Sequence, residues 1–119
     1  MAREASGASA RREAWLWFGQ RASALVLAFA VLVHIVTIVY AIRGGLSGAE
    51  ILGRTRGQPG WLVFYAVFVL AVAVHVPIGL RAIAIEWLGW RGPGRDLVMI
   101  AIGIALVVTG LAAAWGVFV

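Results

Sequence analysis

Residues 22–42 read ASALVLAFAVLVHIVTIVYAI, and no charged side chain interrupts the chain between Arg21 and Arg43. At the 1.5 Å rise per residue of an α-helix, about 20 residues cover a hydrocarbon core of about 30 Å. Two more charge-free stretches follow, at residues 57–80 and 97–119. The pattern predicts three transmembrane helices in an all-α integral membrane bundle.

The composition favours the same interpretation. Hydrophobic residues make up 63% of the 119-residue chain, whereas a soluble domain is near one half. A small soluble protein would have to expose much of this apolar surface to water, and large exposed patches of that kind are rare. The absence of cysteine excludes disulfides, thiol catalysis, and zinc or iron–sulfur ligation through cysteine by this chain.

The predicted helices lie at about residues 15–42, 60–87 and 95–118. Tryptophan and tyrosine side chains suited to the headgroup layer flank them. Residues 1–14 are polar and basic, and we expect them to form a disordered cytoplasmic tail. Pro77 should kink the second helix, because proline removes a backbone hydrogen bond.

The arginines predict the orientation in the membrane. Lysine is absent, so arginine alone supplies the positive charge. One predicted end of the bundle carries Arg3, Arg11, Arg12, Arg21, Arg81, Arg91 and Arg95, and the other carries Arg43, Arg54 and Arg56. The positive-inside rule therefore predicts a cytoplasmic N-terminus. We expect the chain to lie in the inner (cytoplasmic) membrane as a multi-pass protein.

Two histidines, His34 and His75, lie within the charge-free stretches, which contain no carboxylate. Ionisable groups inside a membrane are costly and often functional, although a neutral imidazole bonded to a neighbouring helix is the simpler alternative. Neutral imidazole is also a good haem ligand. His75 lies about 9 Å from the level of Arg81, and His34 lies roughly 20 Å from the level of Arg21. These depths predict two haems rather than one bridged iron, with the missing ligands supplied by a second chain.

The second predicted helix has further candidate site residues beside its histidine. Gly79 follows His75 by about one turn, so its missing side chain would let a flat macrocycle or another helix approach that face. Arg81 lies at the interface, where it could pair with a haem propionate. Plain helix packing and plain interfacial anchoring remain the alternatives for these two residues.

Two motifs resemble a known family. The second span contains His-x3-Gly-[Ile/Leu]-Arg-x4-[Asp/Glu], at His75, Gly79, Leu80, Arg81 and Glu86. The first span opens with Arg-x-Ser-[Gly/Ala], at residues 21–24. Over roughly residues 20–87, the motifs, their separation and the three-span topology are similar to the cytochrome b membrane anchor subunit of succinate dehydrogenase (complex II), in the succinate:quinone oxidoreductase and fumarate reductase family.

The resemblance implies roles for the motif residues in binding haem b. It implies that His75 is an axial ligand of the iron, and that Arg21 and Arg81 lie near the propionates on the cytoplasmic side. His34 has no counterpart in one-haem members and resembles the first-span ligand of two-haem members. The resemblance therefore implies one or two haems, with ligands shared with a second subunit.

The quinone site implied by the resemblance is formed by Arg21, Ser23, Trp17 and Glu86. The sequence departs from the family pattern here. A serine that contacts quinone in the family is replaced by Trp17, and two flanking histidines are replaced by Gln20 and Ala82. These departures lie at the implied quinone contacts and leave the haem-ligand motif at His75 intact.

The implied function is that of a membrane anchor that passes electrons from an iron–sulfur subunit to quinone. The implied partners are that subunit, a flavoprotein that oxidises succinate, a second membrane anchor and the lipid bilayer. This chain itself would not bind succinate. Two alternatives are a cytochrome b subunit of another membrane dehydrogenase and a non-redox assembly or transport subunit. A visible absorption spectrum would exclude the second alternative, and co-purifying subunits would exclude the first.

Overall fold

The computed structural model describes the backbone of residues 2–119 and the side chains from Ser6 onward. The described residues form four helices and no strands. These helices are α1 (Ala2–Arg43), α2 (Gly48–Thr55), α3 (Pro59–Leu88) and α4 (Pro93–Phe118). Among the described residues, α1, α3 and α4 are long and apolar enough to cross a membrane. The predicted all-α bundle of three long apolar helices is confirmed.

Helix α3 is the centre of the bundle, because both α1 and α4 pack mainly against it. On α1, Ser23 and Ala30 are buried in this contact. They lie seven residues apart, which places them on the same face of a helix with 3.6 residues per turn. Side chains at other α1 positions, such as Leu25 and Phe29, are exposed, as expected for surfaces that face lipid or a partner subunit.

Small residues set the spacing between α3 and α4. A methyl group added at Gly103 would lie 3.3 Å from the Ala73 carbonyl oxygen and from Pro77 Cγ, and one added at Gly110 would lie 2.6 Å from Val69 Cγ1. Close backbone approach through small residues is typical of helix contacts in membranes. Helix α3 continues through Pro77 as one element, and the proline ring packs against the α4 glycine.

Helix α2 lies between α1 and α3, in a segment where no helix was predicted from the sequence. It begins with a capping box, in which Ser47 and Glu50 each bond the other's backbone N–H. Hydrogen bonds from Ser47 hold the pKa of Glu50 below its ordinary value. Just beyond the other end of α2, the Gly57 N–H donates to the Phe118 carbonyl at 2.8 Å. This contact ties the loop to the end of α4.

The structure differs from the predicted disordered tail at residues 1–14. Helix α1 begins at Ala2 instead of near Trp15, and Met1 lies outside the described residues. Alanine, arginine and glutamate, which favour helices, are frequent in this segment. Ion pairs from Arg12 and Glu13 to the other helices also hold its last turn. The helical segment therefore extends α1 beyond the length needed to span the hydrocarbon core.

Candidate functional site

His75 lies on the face of α3 that packs against α1. Its Nδ1 atom is 3.4 Å from the Ser23 hydroxyl oxygen. Ser23 is buried, with 7% of its surface exposed, and its hydroxyl donates to the Gln20 carbonyl at 3.1 Å. Among the described residues, no other polar group bonds the His75 imidazole, so its Nε2 atom has no partner. A partly exposed imidazole with one nitrogen held and the other free is a suitable axial ligand.

Gly79 lies on the same face of α3, about one turn from His75. A Cβ atom at this position would meet only the amide nitrogen of Gln20, at 3.3 Å. The Gln20 side-chain oxygen is buried and has no hydrogen-bond partner within the described part of the chain. The glycine thus allows the Gln20 side chain of α1 to pack closely against this face of α3.

Five charged side chains from three helices meet at one end of the bundle. At this end the N-terminal part of α1 lies beside the turn between α3 and α4. Arg81 bonds Glu13 at 2.7 Å and Asp96 at 3.4 Å. Asp96 also accepts from Arg12 at 2.8 Å and from the buried Arg95. We call these five residues the charged cluster. It joins α1, α3 and α4 at the level where the sequence predicts the cytoplasmic interface.

The charged cluster changes the interpretation of Arg81. From the sequence, this arginine was expected to be available for a haem propionate. In the structure its guanidinium group already binds two carboxylates, and its side chain is only 15% exposed. A propionate would therefore have to compete with Glu13 and Asp96, or share the arginine with them.

Arg21 lies away from His75. At 100° per residue, Arg21 and Ser23 are roughly 160° apart around α1, so they lie on nearly opposite faces of the helix. The guanidinium carbon of Arg21 is 4.0 Å from the centre of the Trp17 ring, a cation–π contact on the exposed side of α1. Arg21 makes no ion pair with any described residue. Its charge is therefore free for a ligand or a partner subunit.

Glu86 lies on the same face of α3 as His75, because eleven residues are close to three helical turns. The rise over those residues is about 16 Å, so the two side chains are not adjacent. Glu86 is exposed, and no described residue pairs with it. The structure therefore separates the predicted site residues into a His75 group with Ser23 and Gly79, an exposed Trp17–Arg21 pair, and a distant carboxylate.

His34 lies farther along the same α1–α3 contact. Its ring is 6.1 Å, centre to centre, from the rings of both Tyr65 and Phe68. Its Nδ1 atom is buried without a hydrogen-bond partner among the described residues, and the Thr37 hydroxyl donates to the backbone carbonyl of His34 instead of to the imidazole. His34 therefore lacks the polar partner that holds His75.

The two histidines lie at different levels of the bundle. Tyr65 and Phe68, which contact His34, precede His75 by ten and seven residues on α3. This corresponds to about 10–15 Å along the helix axis. On α1, His34 follows Ser23 by eleven residues, or about 16 Å. Both helices give a separation consistent with the depths estimated from the sequence, and too large for both imidazoles to bind one iron.

Clefts adjoin both His34 and the charged cluster. His34 lines a cleft of 370 Å³ between α1, α2 and α3 and another of 340 Å³ between α1, α3 and α4. A larger cleft, of 520 Å³, lies between α1, α3 and α4 and ends at Arg12, Arg81 and Asp96. Its lining is mainly apolar and includes Leu16, Val74, Pro77, Ile78, Met99 and Ile100. Neither histidine lines this larger cleft, although it adjoins the charged cluster.

Two kinds of site residue were not identified from the sequence. Ser23 was assigned to the quinone site through the family resemblance, and its contact with His75 was not predicted, although serine is rare in the apolar spans. No role was predicted for Glu13 and Asp96. The signal for these carboxylates was their position beside the charge-free stretches, where they can reach interfacial arginines. Within the described residues, no three histidine or acidic side chains gather to hold a metal ion by themselves.

The fold and the site define a three-helix membrane protein with separate histidines on two facing helices. A model of the succinate dehydrogenase/fumarate reductase transmembrane subunit family matches residues 2–113. The chain belongs to this family. No curated protein and no solved structure matched the chain. Membership of this family favours the anchor-subunit interpretation over the two alternatives considered from the sequence.

Proposed function

We propose that this chain is the haem b-binding membrane anchor of a succinate:quinone oxidoreductase in the inner (cytoplasmic) membrane. The observation that carries the proposal is the state of His75, whose Nδ1 contacts a buried serine while Nε2 has no partner among the described residues. Membership of the succinate dehydrogenase/fumarate reductase family supports electron transfer to quinone as the reaction in which this haem ligand takes part. The chain would hold its soluble partners at the membrane and pass electrons to quinone, while succinate binds elsewhere in the complex.

The residues around His75 fit a haem. The imidazole offers one free nitrogen, and the Gly79 position about one turn away carries no side chain. When bound, haem supplies a one-electron carrier suited to dividing the two-electron reduction of quinone. The chain's own residues would orient the imidazole and exclude water from the α1–α3 contact.

The missing ligands are proposed to come from a second membrane subunit. His75 and His34 are too far apart along the helices to bind one iron, and α4 contains no histidine. The exposed apolar side chains of α1 and α3 supply surface against which another helical subunit could pack. The flavoprotein and iron–sulfur subunits are the further proposed partners, and they would bind at the cytoplasmic end.

The quinone site is proposed to include Arg21 and Trp17, with Ser23 and Glu86 nearby. Arg21 is the cationic group best suited to a quinone carbonyl, because it has no ion-pair partner among the described residues and its planar group lies over an aromatic ring at the predicted interface. Trp17 supplies a flat apolar surface at the same level. Arg81 is proposed to act with the charged cluster near the haem propionates.

A second haem on His34 is also proposed. Its ring is flanked by two aromatic rings, and its buried Nδ1 atom lacks a partner in the described part of this chain. An unsatisfied polar atom in an apolar environment costs free energy, so a ligand or a second subunit is expected to contact it. His34 lies about 10–15 Å from His75 along the helix axis, which leaves room for one haem at each histidine.

Purification of the complex through a tag on this chain tests the proposal. We expect flavin and iron–sulfur subunits to co-purify, with a low-spin haem b absorption spectrum and two haems per flavin. His34→Ala should remove one of the two haems and retain the other. A complex without haem would overturn the proposed function. A native complex with a single haem would refute only the second haem on His34.

Replacement of Arg21 by leucine tests the quinone site. We expect Arg21→Leu to reduce quinone reduction by about 100-fold, the effect expected when a charge-assisted hydrogen bond of about 2–3 kcal/mol is lost. Oxidation of succinate by a soluble artificial acceptor should continue at the native rate, since the flavoprotein is untouched. Arg43→Leu, at the other end of α1, is the matched control. Equal loss of both activities in Arg21→Leu would indicate failed assembly and contradict the assignment.

A further inference from the structure

The contact between Ser23 and His75 fixes where protons lie in this part of the bundle. Ser23 is buried between α1 and α3, and its hydroxyl oxygen lies 3.1 Å from the Gln20 carbonyl oxygen and 3.4 Å from His75 Nδ1. A hydroxyl group has one proton to donate and lone pairs to accept with. The two contacts can both be hydrogen bonds only if one of them uses the proton and the other uses a lone pair.

The Ser23 hydroxyl donates its proton to the Gln20 backbone carbonyl. Serine in a helix commonly donates to a carbonyl in the preceding turn, and here the contact to the Gln20 carbonyl is the shorter of the two. A carbonyl oxygen can only accept, so this bond requires the serine proton. The serine oxygen then accepts from His75, which places the imidazole proton on Nδ1.

The surroundings of the other ring nitrogen lead to the same tautomer. If the proton were on Nε2, that N–H would have no acceptor among the described residues. An N–H group without an acceptor is costly in an apolar environment, where water is absent. With the proton on Nδ1, the N–H bonds Ser23 and Nε2 keeps a lone pair.

His34 provides an internal comparison. The hydroxyl of Thr37 also donates to a carbonyl of its own helix, but it does not contact the imidazole. The Nδ1 atom of His34 is buried without a partner in the described structure. The hydroxyl–imidazole contact is therefore a specific feature of His75 and not a general consequence of a hydroxyl residue near a histidine.

We propose that Ser23 is a positioning residue for His75, holding the imidazole in the Nδ1–H tautomer so that Nε2 is available to iron. This inference rests on the proposed function for its cofactor, but the hydrogen bond itself does not. Partners that accept from the second nitrogen of a ligating histidine fix the ring and raise its basicity, and their removal typically costs about 10–100-fold in metal affinity. A more basic ligand stabilises oxidised iron and lowers its reduction potential.

The experiment compares three variants of the purified complex. Ser23→Ala removes the acceptor, and Ser23→Thr retains a hydroxyl. Thr109→Val is the control, since it removes an exposed hydroxyl that bonds only the Ala105 carbonyl in α4. The first readout is the midpoint potential of the haem whose low-spin signal His75→Ala abolishes. The second is the rate at which this haem is transferred to an excess of apomyoglobin.

For Ser23→Ala we expect a retained haem with a higher midpoint potential and about a tenfold faster transfer to apomyoglobin. Ser23→Thr should return both values toward those of the native complex, and Thr109→Val should leave both unchanged. A native potential and transfer rate in Ser23→Ala would overturn the inference. A similar change in Thr109→Val would also overturn it, because the effect would then not depend on the hydroxyl beside His75.

A wrong assignment of the function and a wrong role for Ser23 give different experimental results. If the native complex holds no haem on His75, the function is wrong, and the ¹⁵N chemical shifts of His75 in that haem-free complex then test the hydrogen bond. The inferred tautomer gives a protonated Nδ1 and an unprotonated Nε2, and Ser23→Ala should shift the population toward Nε2–H. A native complex with the proton on Nε2 would overturn the role of Ser23.

Discussion

Replacement of His75 by alanine is expected to abolish one low-spin haem signal completely. Without the axial imidazole, the iron would lose one of its two strong-field ligands, and the haem would be lost or become high spin. Ser23 and Gly79 lie beside the imidazole, and neither can replace it as an iron ligand. The loss should therefore be close to total instead of partial.

The measurement is a reduced-minus-oxidised spectrum together with electron paramagnetic resonance, both normalised to flavin. His34→Ala is the matched control, because it removes an imidazole from the same α1–α3 contact at another level. It should leave the signal that depends on His75 intact. An unchanged low-spin spectrum in His75→Ala, with normal flavin content, would exclude His75 as the ligand.

The second large effect is expected at the contact between α3 and α4. A methyl group at Gly110 would lie 2.6 Å from Val69 Cγ1 and 3.2 Å from Val69 Cβ. Valine is branched at Cβ and has one strongly preferred rotamer in a helix, so it cannot turn aside. Gly110→Ala must therefore move α4 away from α3, at a cost of about 1–3 kcal/mol.

Gly116→Ala is the control, because a methyl group at that position of α4 meets no atom within 4 Å. Alanine favours a helix over glycine by about 1 kcal/mol, so this variant should have an unchanged or slightly raised melting temperature. Gly110→Ala should have a lower melting temperature, and the added change Val69→Ala should restore it. A melting temperature for Gly110→Ala equal to that of Gly116→Ala would contradict the close contact.

The membrane-spanning helices could be predicted from the amino-acid sequence. The three charge-free stretches predicted α1, α3 and α4 because the hydrocarbon core excludes charge and requires about 20 apolar residues per helix. The same charge-free pattern placed His34 and His75 within spans and at different levels. It gave less information on the helix ends and on the connecting segments, because α1 begins at Ala2 and α2 lies in a segment where no helix was predicted. Those segments depend on local capping and on ion pairs instead of hydrophobicity.

The site required the tertiary structure. A helix that is apolar on all sides carries little information about which face packs against its neighbour. The sequence therefore could not assign Ser23 to His75, or place Arg21 on the opposite face of α1 with Trp17. The bond from Arg12 to Asp96 joins residues 84 positions apart, and it depends on how α1 and α4 dock on α3.

The amino-acid sequence by itself determined that the chain crosses a membrane three times, where its two imidazoles lie along the spans, and which family motifs surround them. Solvation in lipid decides these features, and each stretch contributes to them independently of its neighbours. Only the tertiary structure decided that Ser23 contacts His75, that carboxylates already hold Arg81, and that the His34 imidazole lacks a polar partner among the described residues. These features depend on the rotation of each helix about its axis, which the small residues Gly79, Gly103 and Gly110 set by allowing the backbones to approach closely.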